Sequence, residues 1–269
     1  MSNYKTVFFT LGILQIILGL SMIVPIMAQF YYDQIDSGFI GSELVSIIFG
    51  VLFFLSNLDY EKKLSLPQAF LLTALSWLSI AIFGSLPFVF SDLSLSFTNA
   101  FFESMSGITT TGSTILTNLN ETPKAILLWR AMLQWLGGMG IIVLAVAILP
   151  ILGIGGMQLY KAESPGPIKD TKLTPRIKET AKALWYLYVS LTVVCAIAYY
   201  MAGMSALDAV GHSFSTIAIG GFSTNDDSIR FFDSAAIDYI AILFMFLAGI
   251  NFTLHFLAWR RKTVLTYIA

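Results

Sequence analysis

Apolar runs of about 20 residues, each long enough to cross a hydrocarbon layer of about 30 Å, recur along this sequence. Two apolar stretches too short to cross interrupt them. Six full-length runs are read, at 7–28, 42–58, 67–90, 125–149, 183–201 and 236–259. The short stretches, 97–108 and 207–217, hold 12 and 11 residues. With 57 % hydrophobic and 12 % charged residues, against about 45–50 % and about 25 % in soluble domains, most of this surface has lipid as its solvent. The fold class is all-α integral membrane. The run at 7–28 follows Lys5 but exceeds the apolar core of about 7–15 residues found in signal peptides, so it reads as a retained span.

Charge placement orients the spans. An N-terminus inside gathers Lys5, Lys62, Lys63, Lys161, Lys169, Lys172, Arg176, Lys178, Lys182, Arg260, Arg261 and Lys262 on the inner face. Only Lys124, Arg130 and Arg230 fall outside, the asymmetry that the positive-inside bias requires of a cytoplasmic-membrane protein. Both short stretches then enter from the outer face and return to it. Irregular backbone at that depth is tolerated only where protein buries it or where it lines a water-filled path, and a path is the first functional inference.

The two short stretches belong to an internal repeat. At an offset of 109, Asn99 to Thr114 aligns with Asp208 to Ser223 and pairs Ala100 with Ala209, Ser104 with Ser213, Ser106 with Ser215, Ile108 with Ile217 and Gly112 with Gly221. Each block has a span before it, a loop of Gly, Thr or Ser after its half-helix, and a span beyond. The later spans correspond too, Trp135-Leu-Gly-Gly-Met-Gly140 facing Phe246-Leu-Ala-Gly-Ile-Asn251. Gly137, Gly138, Gly140 and Gly249 in these segments fit either close helix packing or a gating hinge.

A half-helix that stops within the membrane turns the negative end of its dipole and its last carbonyls toward the cavity, which attracts a cation. The loop that follows the first, Thr109, Thr110, Thr111, Gly112, Ser113 and Thr114, is rich in neutral oxygen donors, and Gly112 permits the torsions that aim carbonyls inward. The second loop supplies Ile217, Ala218, Ile219, Gly220 and Gly221, with Gly220 as the alternative should the register differ by one. Rings of such carbonyls replace the hydration shell of K+ in potassium filters. K+ contacts are expected at Thr110, Thr111, Ala218 and Ile219.

The segments Phe-Phe-Glu-Ser-Met-Ser-Gly-Ile-Thr-Thr-Thr-Gly-Ser-Thr (101–114), Gln-Trp-Leu-Gly-Gly-Met-Gly (134–140) and Ser-Thr-Ile-Ala-Ile-Gly-Gly-Phe-Ser-Thr (215–224) resemble the Trk/Ktr/HKT superfamily of K+ transporters, most of all the membrane subunit of the Trk system. In that family a helix pair precedes four repeats of outer helix, pore helix, filter loop and inner helix. The resemblance implies the helix pair at 1–60, a first repeat at 61–160, a basic cytoplasmic linker at 161–182 and a second repeat at 183–269. It leaves the third and fourth repeats without a counterpart in these 269 residues. It implies selective K+ conduction with a glycine at each filter position, relatives with serine there tending to admit Na+. It also implies a homodimer and a cytosolic ring of TrkA-type nucleotide-binding subunits, on which alone NAD or ATP is expected; no covalent cofactor is.

Other charged and polar groups carry humbler readings. Arg130, one turn into a span, is expected to snorkel to the outer interface. Glu103 and Asp208 either concentrate cations at the mouth or bond the loop behind the filter. Asn251 is expected to bond a neighbouring helix, Cys195 to be a buried structural thiol, and the 161–182 linker to face anionic lipid or the regulatory ring. His212 and His255 are too few and too far apart for a metal site. No nucleophile, base and orienting group converge and no His-Glu-x-x-His spacing occurs, so an enzyme is not expected. Nothing in the charge pattern points to nucleic acid. A cation-coupled secondary transporter is the rival, although such proteins favour inverted repeats and these two run in the same direction. A non-conducting structural membrane subunit is the other alternative.

Overall fold

The computed structural model describes residues 4–60, 65–152 and 177–250, together with Phe252, Leu254, His255, Ala258 and Thr263. All regular structure among the described residues is helical. The chain enters through α1 (Lys5–Ser21) and α2 (Ile23–Tyr31). Together they make one apolar span, Lys5–Tyr31, with a break at Met22, where Pro25 has no N–H to return to the Ser21 carbonyl. It comes back through α3 (Ser37–Leu55), whose N-cap Asp36 accepts from the Gly38 N–H at 2.7 Å. A Cβ on Gly12 would lie 2.7 Å from the Gly50 carbonyl oxygen, and one on Gly50 2.9 Å from that of Gly12. Paired glycines therefore let α1 and α3 touch backbone to backbone.

The next span is α4 (Leu66–Gly84) continued by α5 (Leu86–Phe90), with the break at Ser85 ahead of Pro87. The Trp129 indole donates to the Gly84 carbonyl at 2.9 Å beside this break, so a backbone acceptor deep in the protein is satisfied. Then α6 (Phe97–Ile108) runs for 12 residues, about 18 Å at the helical rise and too short to cross. By contrast α7 (Lys124–Leu152) runs unbroken for 29 residues, about 43 Å. The second unit repeats the plan with α8 (Ile177–Met201), a 13-residue α9 (Ala206–Ala218) and α10 (Ala235–Gly249).

Hydrogen bonds between connections sort the two ends of the bundle. Asp36 accepts from the Asp92 N–H and Gln34 from the Lys124 N–H, each at 3.0 Å, so the turns after α2, after α5 and before α7 share one end. Lys5 and Asp59 form an ion pair at the other. The hydrogen bond from Lys5 holds the Asp59 carboxyl below the usual carboxylate range.

Buried side chains form two principal groups with α7 between them. Phe39, Phe88, Trp129 and Leu133 anchor the first, and Tyr188, Cys195, Tyr199 and Phe244 the second. The Cys195 thiol is fully buried there.

Helix limits differ from the expected ones at several ends, α8 beginning at Ile177 rather than 183 among them, and two of the differences bear on how the spans are built. The second span starts at Ser37 rather than 42, because the Asp36 cap begins the helix before the strongly apolar residues do. The last run, read as continuous over 236–259, stops at Gly249, and Ile250 is extended at φ −75° and ψ 139°. Apolarity reports depth in the membrane, not continuity of the backbone. Beyond the break, His255 Nε2 sits 2.8 Å from the Leu247 carbonyl oxygen, which also accepts from the Ile250 N–H at 3.3 Å. Asn251, Lys62, Lys63, the stretch 161–176 and Arg260, Arg261 and Lys262 lie outside the described residues.

Candidate functional site

Both half-helices begin on a serine cap at the same repeat position. Ser96 Oγ accepts from the Asn99 N–H at 3.4 Å and Ser205 Oγ from the Asp208 N–H at 3.2 Å. They also end alike. The Thr111 and Gly220 amides donate to the Ser106 and Ser215 carbonyls, each at 2.9 Å, and those of Thr110 and Ile219 to Gly107 and Thr216 at 2.9 and 3.1 Å. Positive φ then recurs at the offset of 109: 55° at Thr110 and 54° at Ile219, 78° at Gly112 and 84° at Gly221. Gly221 rather than Gly220 is thus the counterpart of Gly112. Thr110 and Ile219 are β-branched residues held in the left-handed region, a strained conformation that persists only where its surroundings over-determine it.

Loop donors and acceptors are sorted. The N–H groups of Thr110, Thr111, Ile219 and Gly220 turn back onto their own half-helices, and that of Phe222 donates to Gln134 Oε1 at 3.1 Å. Among the described residues no hydrogen bond ends on the carbonyl oxygens of Thr110, Thr111, Gly112, Ile219, Gly220 or Gly221. Loops whose amides at these positions turn to the protein and whose oxygens stay free present acceptors to whatever occupies the space before them, and a cation is the species such a surface suits.

One face of α7 runs behind both loops, through Arg130, Gln134, Gly137 and Gly138 at helical spacing. The expectation that Arg130 snorkels is wrong: its side chain is 1 % exposed. Arg130 Nε donates to Glu103 at 2.7 Å, Nη2 to Thr114 Oγ1 at 2.9 Å and Nη1 to the Ser223 carbonyl at 3.1 Å, with the guanidinium carbon 4.2 Å from the Phe222 ring centroid. A carboxylate partner, two further acceptors and an aromatic face outcompete the interface for this fork-shaped cation. A Cβ on Gly137 would lie 1.8 Å from the Ile108 carbonyl oxygen, and one on Gly138 2.9 Å from Ala218 Cβ. Close packing against the ends of both half-helices therefore accounts for these two glycines. Among the described residues nothing lies within 4 Å of where a Cβ on Gly140 or Gly249 would be.

Glu103, fully buried, also accepts from Thr114 Oγ1 at 2.8 Å and the Ile115 N–H at 3.1 Å, so of its two readings the structure has the loop brace. At the corresponding position His212 Nε2 lies 2.9 Å from Ser223 Oγ. The chemistry differs, yet in both repeats a half-helix side chain holds the hydroxyl after the loop. Asp208 caps α9 with Ser205 and accepts from Thr224 Oγ1.

Over residues 36–268 the chain matches the model of the family TrkH, described as cation transport protein. The chain belongs to the TrkH family. It is 51 % identical over 259 residues to the Trk system potassium uptake protein TrkH of Vibrio parahaemolyticus, which takes in 96 % of this chain and 53 % of that protein. To TrkH of Escherichia coli K12 it is 51 % identical over 94 % of its own length and 53 % of the relative's, and to TrkG of that organism 38 % identical over 98 % and 55 %. The crystal structure of the potassium transporter TrkH from V. parahaemolyticus superposes with a TM-score of 0.85 at 44 % identity, over 99 % of this chain and 54 % of the other. The chain thus spans about half the length of the TrkH proteins it matches.

Within this TrkH-family chain Thr109 to Gly112 and Ile219 to Gly221 lie in the two loops, whereas Ile217 and Ala218 form the last turn of α9. Loop 1 meets loop 2 at Gly112, where a Cβ would stand 2.0 Å from the Gly220 carbonyl oxygen. Sequence reasoning missed Arg130, Gln134 and His212 as loop supports. Two of them carried a signal, His212 in its alignment with Glu103 and Arg130 in its pairing with that acid, whereas Gln134 carried none.

Proposed function

We propose that this chain contributes to K+ uptake across the cytoplasmic membrane, with Thr110, Thr111 and Gly112 of loop 1 and Ala218, Ile219, Gly220 and Gly221 at loop 2 lining the ion path. The observation that carries the reading is the repeated loop backbone: N–H groups tied back to the half-helices, and carbonyl oxygens of 110–112 and 219–221 left without donors among the described residues. Free carbonyls at spacings set by tight turns exchange for the water around K+. The relatives are named as Trk system potassium uptake proteins, which is consistent with this cargo.

In this reading residues 1–60 are a flanking helix pair, 61–160 and 183–269 are two pore-loop units, and 161–182 is a cytoplasmic linker. The N-terminus and the Lys5–Asp59 end face the cytoplasm, with the loop mouths outside. A second copy of the protein and a TrkA-type nucleotide-binding subunit are its partners, any NAD or ATP residing on that subunit. Gly140 and Gly249 are the hinge positions, since among the described residues neither is packed against a neighbour.

Rubidium uptake competed by sodium tests the path. Gly112→Ser and Gly221→Ser in the intact transport system are expected to weaken discrimination against Na+, because each side chain restricts a left-handed torsion and adds a competing hydroxyl. Unchanged competition in both variants, at normal membrane abundance, refutes the assignment.

A further inference from the structure

The supports behind the two loops are unequally shared. Arg130 and Gln134 stand on the inner helix of the first repeat, yet both reach the second loop: Arg130 through the Ser223 carbonyl and the Phe222 ring, Gln134 through the Phe222 N–H. On the second inner helix the aligned positions are Ala241 and Met245, which supply no such groups. Gln134 is fully buried, and its Nε2 has no hydrogen-bond partner among the described residues. That atom lies 2.6 Å from where a Cβ on Gly220 would stand and 3.7 Å from that of Gly112, so the amide fills the seam at which the loops meet. Gly220 itself has no positive φ. A Cβ there would stand 2.3 Å from the Gln134 carboxamide carbon, so any larger residue at 220 has to displace the Gln134 amide from the seam. The two adjacent glycines of loop 2 therefore have separate tasks, Gly221 for the turn and Gly220 for the seam.

We propose that Arg130 and Gln134 are specificity-positioning residues, which from the inner helix of the first repeat fix the spacing of loop 2 against loop 1 and thereby the fit of the ion path to its cation. The inference rests on the loops being that path. Carbonyl oxygens discriminate between ions of different size only if their separation is held, and a ring assembled from non-identical loops has no symmetry to hold it. The buried fork of Arg130 ties Glu103 and Thr114 of the first repeat to Ser223 of the second. Gln134 adds a carboxamide packed against Gly220 and held there by the bond from the Phe222 N–H.

The test is Rb+ uptake competed by Na+ in the intact transport system, with membrane abundance measured alongside. Arg130→Lys keeps the charge but loses the fork, and Gln134→Met keeps the volume but loses the acceptor for Phe222. Each is expected to lower Rb+ over Na+ preference by about tenfold, a change in relative affinity equivalent to about 1.4 kcal/mol, with apparent KM for Rb+ rising more than maximal rate falls. If Gly112→Ser and Gly221→Ser shift discrimination while both positioning variants retain it, the inference is overturned and the path assignment stands. If none of the four shifts it, the path assignment falls and the inference with it. Should either positioning variant fail to accumulate, Gly220→Ala decides. Its loss of discrimination is expected to be largely restored by Gln134→Ala in the same chain, and a double variant no better than the single overturns the proposal.

Discussion

Alanine at Gly112 and at Gly221 presents the same chemical change at equivalent backbone positions, and the structure assigns it unequal consequences. Both residues have left-handed torsions, φ 78° and 84°, and placing an L-residue there costs about 1–2 kcal/mol. At Gly221 none of the described residues lies within 4 Å of the added carbon, whereas at Gly112 it would stand 2.0 Å from the Gly220 carbonyl oxygen. Relieving that overlap requires one loop backbone to move, and overpacking of this kind adds about 1–3 kcal/mol. Gly112→Ala is therefore expected to cost about 2–5 kcal/mol in total and Gly221→Ala only the torsional part. Thermal unfolding of the detergent-purified protein, read by loss of monodisperse material, should rank wild type above Gly221→Ala and that above Gly112→Ala. Rb+ uptake should show the larger loss at Gly112. Equal destabilisation, or a greater one at Gly221, would refute the contact between loops as the cause.

Removing the Glu103 carboxylate as Glu103→Ala leaves Arg130 buried without its counter-charge and is expected to destabilise by about 3–5 kcal/mol; Glu103→Gln, which keeps an acceptor, should cost less, as membrane abundance and unfolding temperature will show. Gly137→Ala should prevent accumulation, because its Cβ would lie 1.8 Å from the Ile108 carbonyl oxygen, while Gly140→Ala should accumulate normally and change only the uptake rate per molecule. Cysteines at the exposed positions Ser37 and Asp227 should react with an impermeant thiol reagent applied to intact cells, and cysteines at Ser56 and Thr171 should not; labelling at Ser56 or Thr171 would invert the orientation.

What could be read from the sequence were the features written in local composition. Half-helices of 12 and 13 residues stood out because an apolar run too short to cross is conspicuous among runs that do, and the offset of 109 set loop 2 against loop 1 residue by residue. The break at Gly249–Ile250 was hidden because Phe246 to Phe252 is as apolar as an unbroken span, and a single glycine is common in membrane helices. The role of Gly137 and Gly138 was written only as an ambiguity, since small residues serve packing and bending alike. Which one holds depends on the Ile108 carbonyl and on Ala218, 29 and 80 residues away in the chain respectively.

Arg130 shows why a charge in a span is hard to read in isolation. Its position one turn inside the membrane gave its side chain a short reach to water, and reach alone favours snorkelling. The deciding quantity is what the protein offers at the same depth: a carboxylate from α6, the Thr114 hydroxyl, the Ser223 carbonyl and the face of Phe222. Three of those four partners lie in or next to the loops, and the fourth, Glu103, reads by itself as either a mouth charge or a loop brace. Two ambiguous residues 27 positions apart resolve each other once they are paired, since a buried Arg needs a buried acid and a buried acid at a loop needs a donor. An Arg on an inner helix beside an acid on the preceding half-helix is therefore a joint signal for a loop brace. The same logic extends to His212, which takes the place of Glu103 in the second repeat, where the aligned inner-helix position is Ala241. With no Arg to balance there, a neutral ring can hold the Ser223 hydroxyl without leaving an unpaired carboxylate in the membrane.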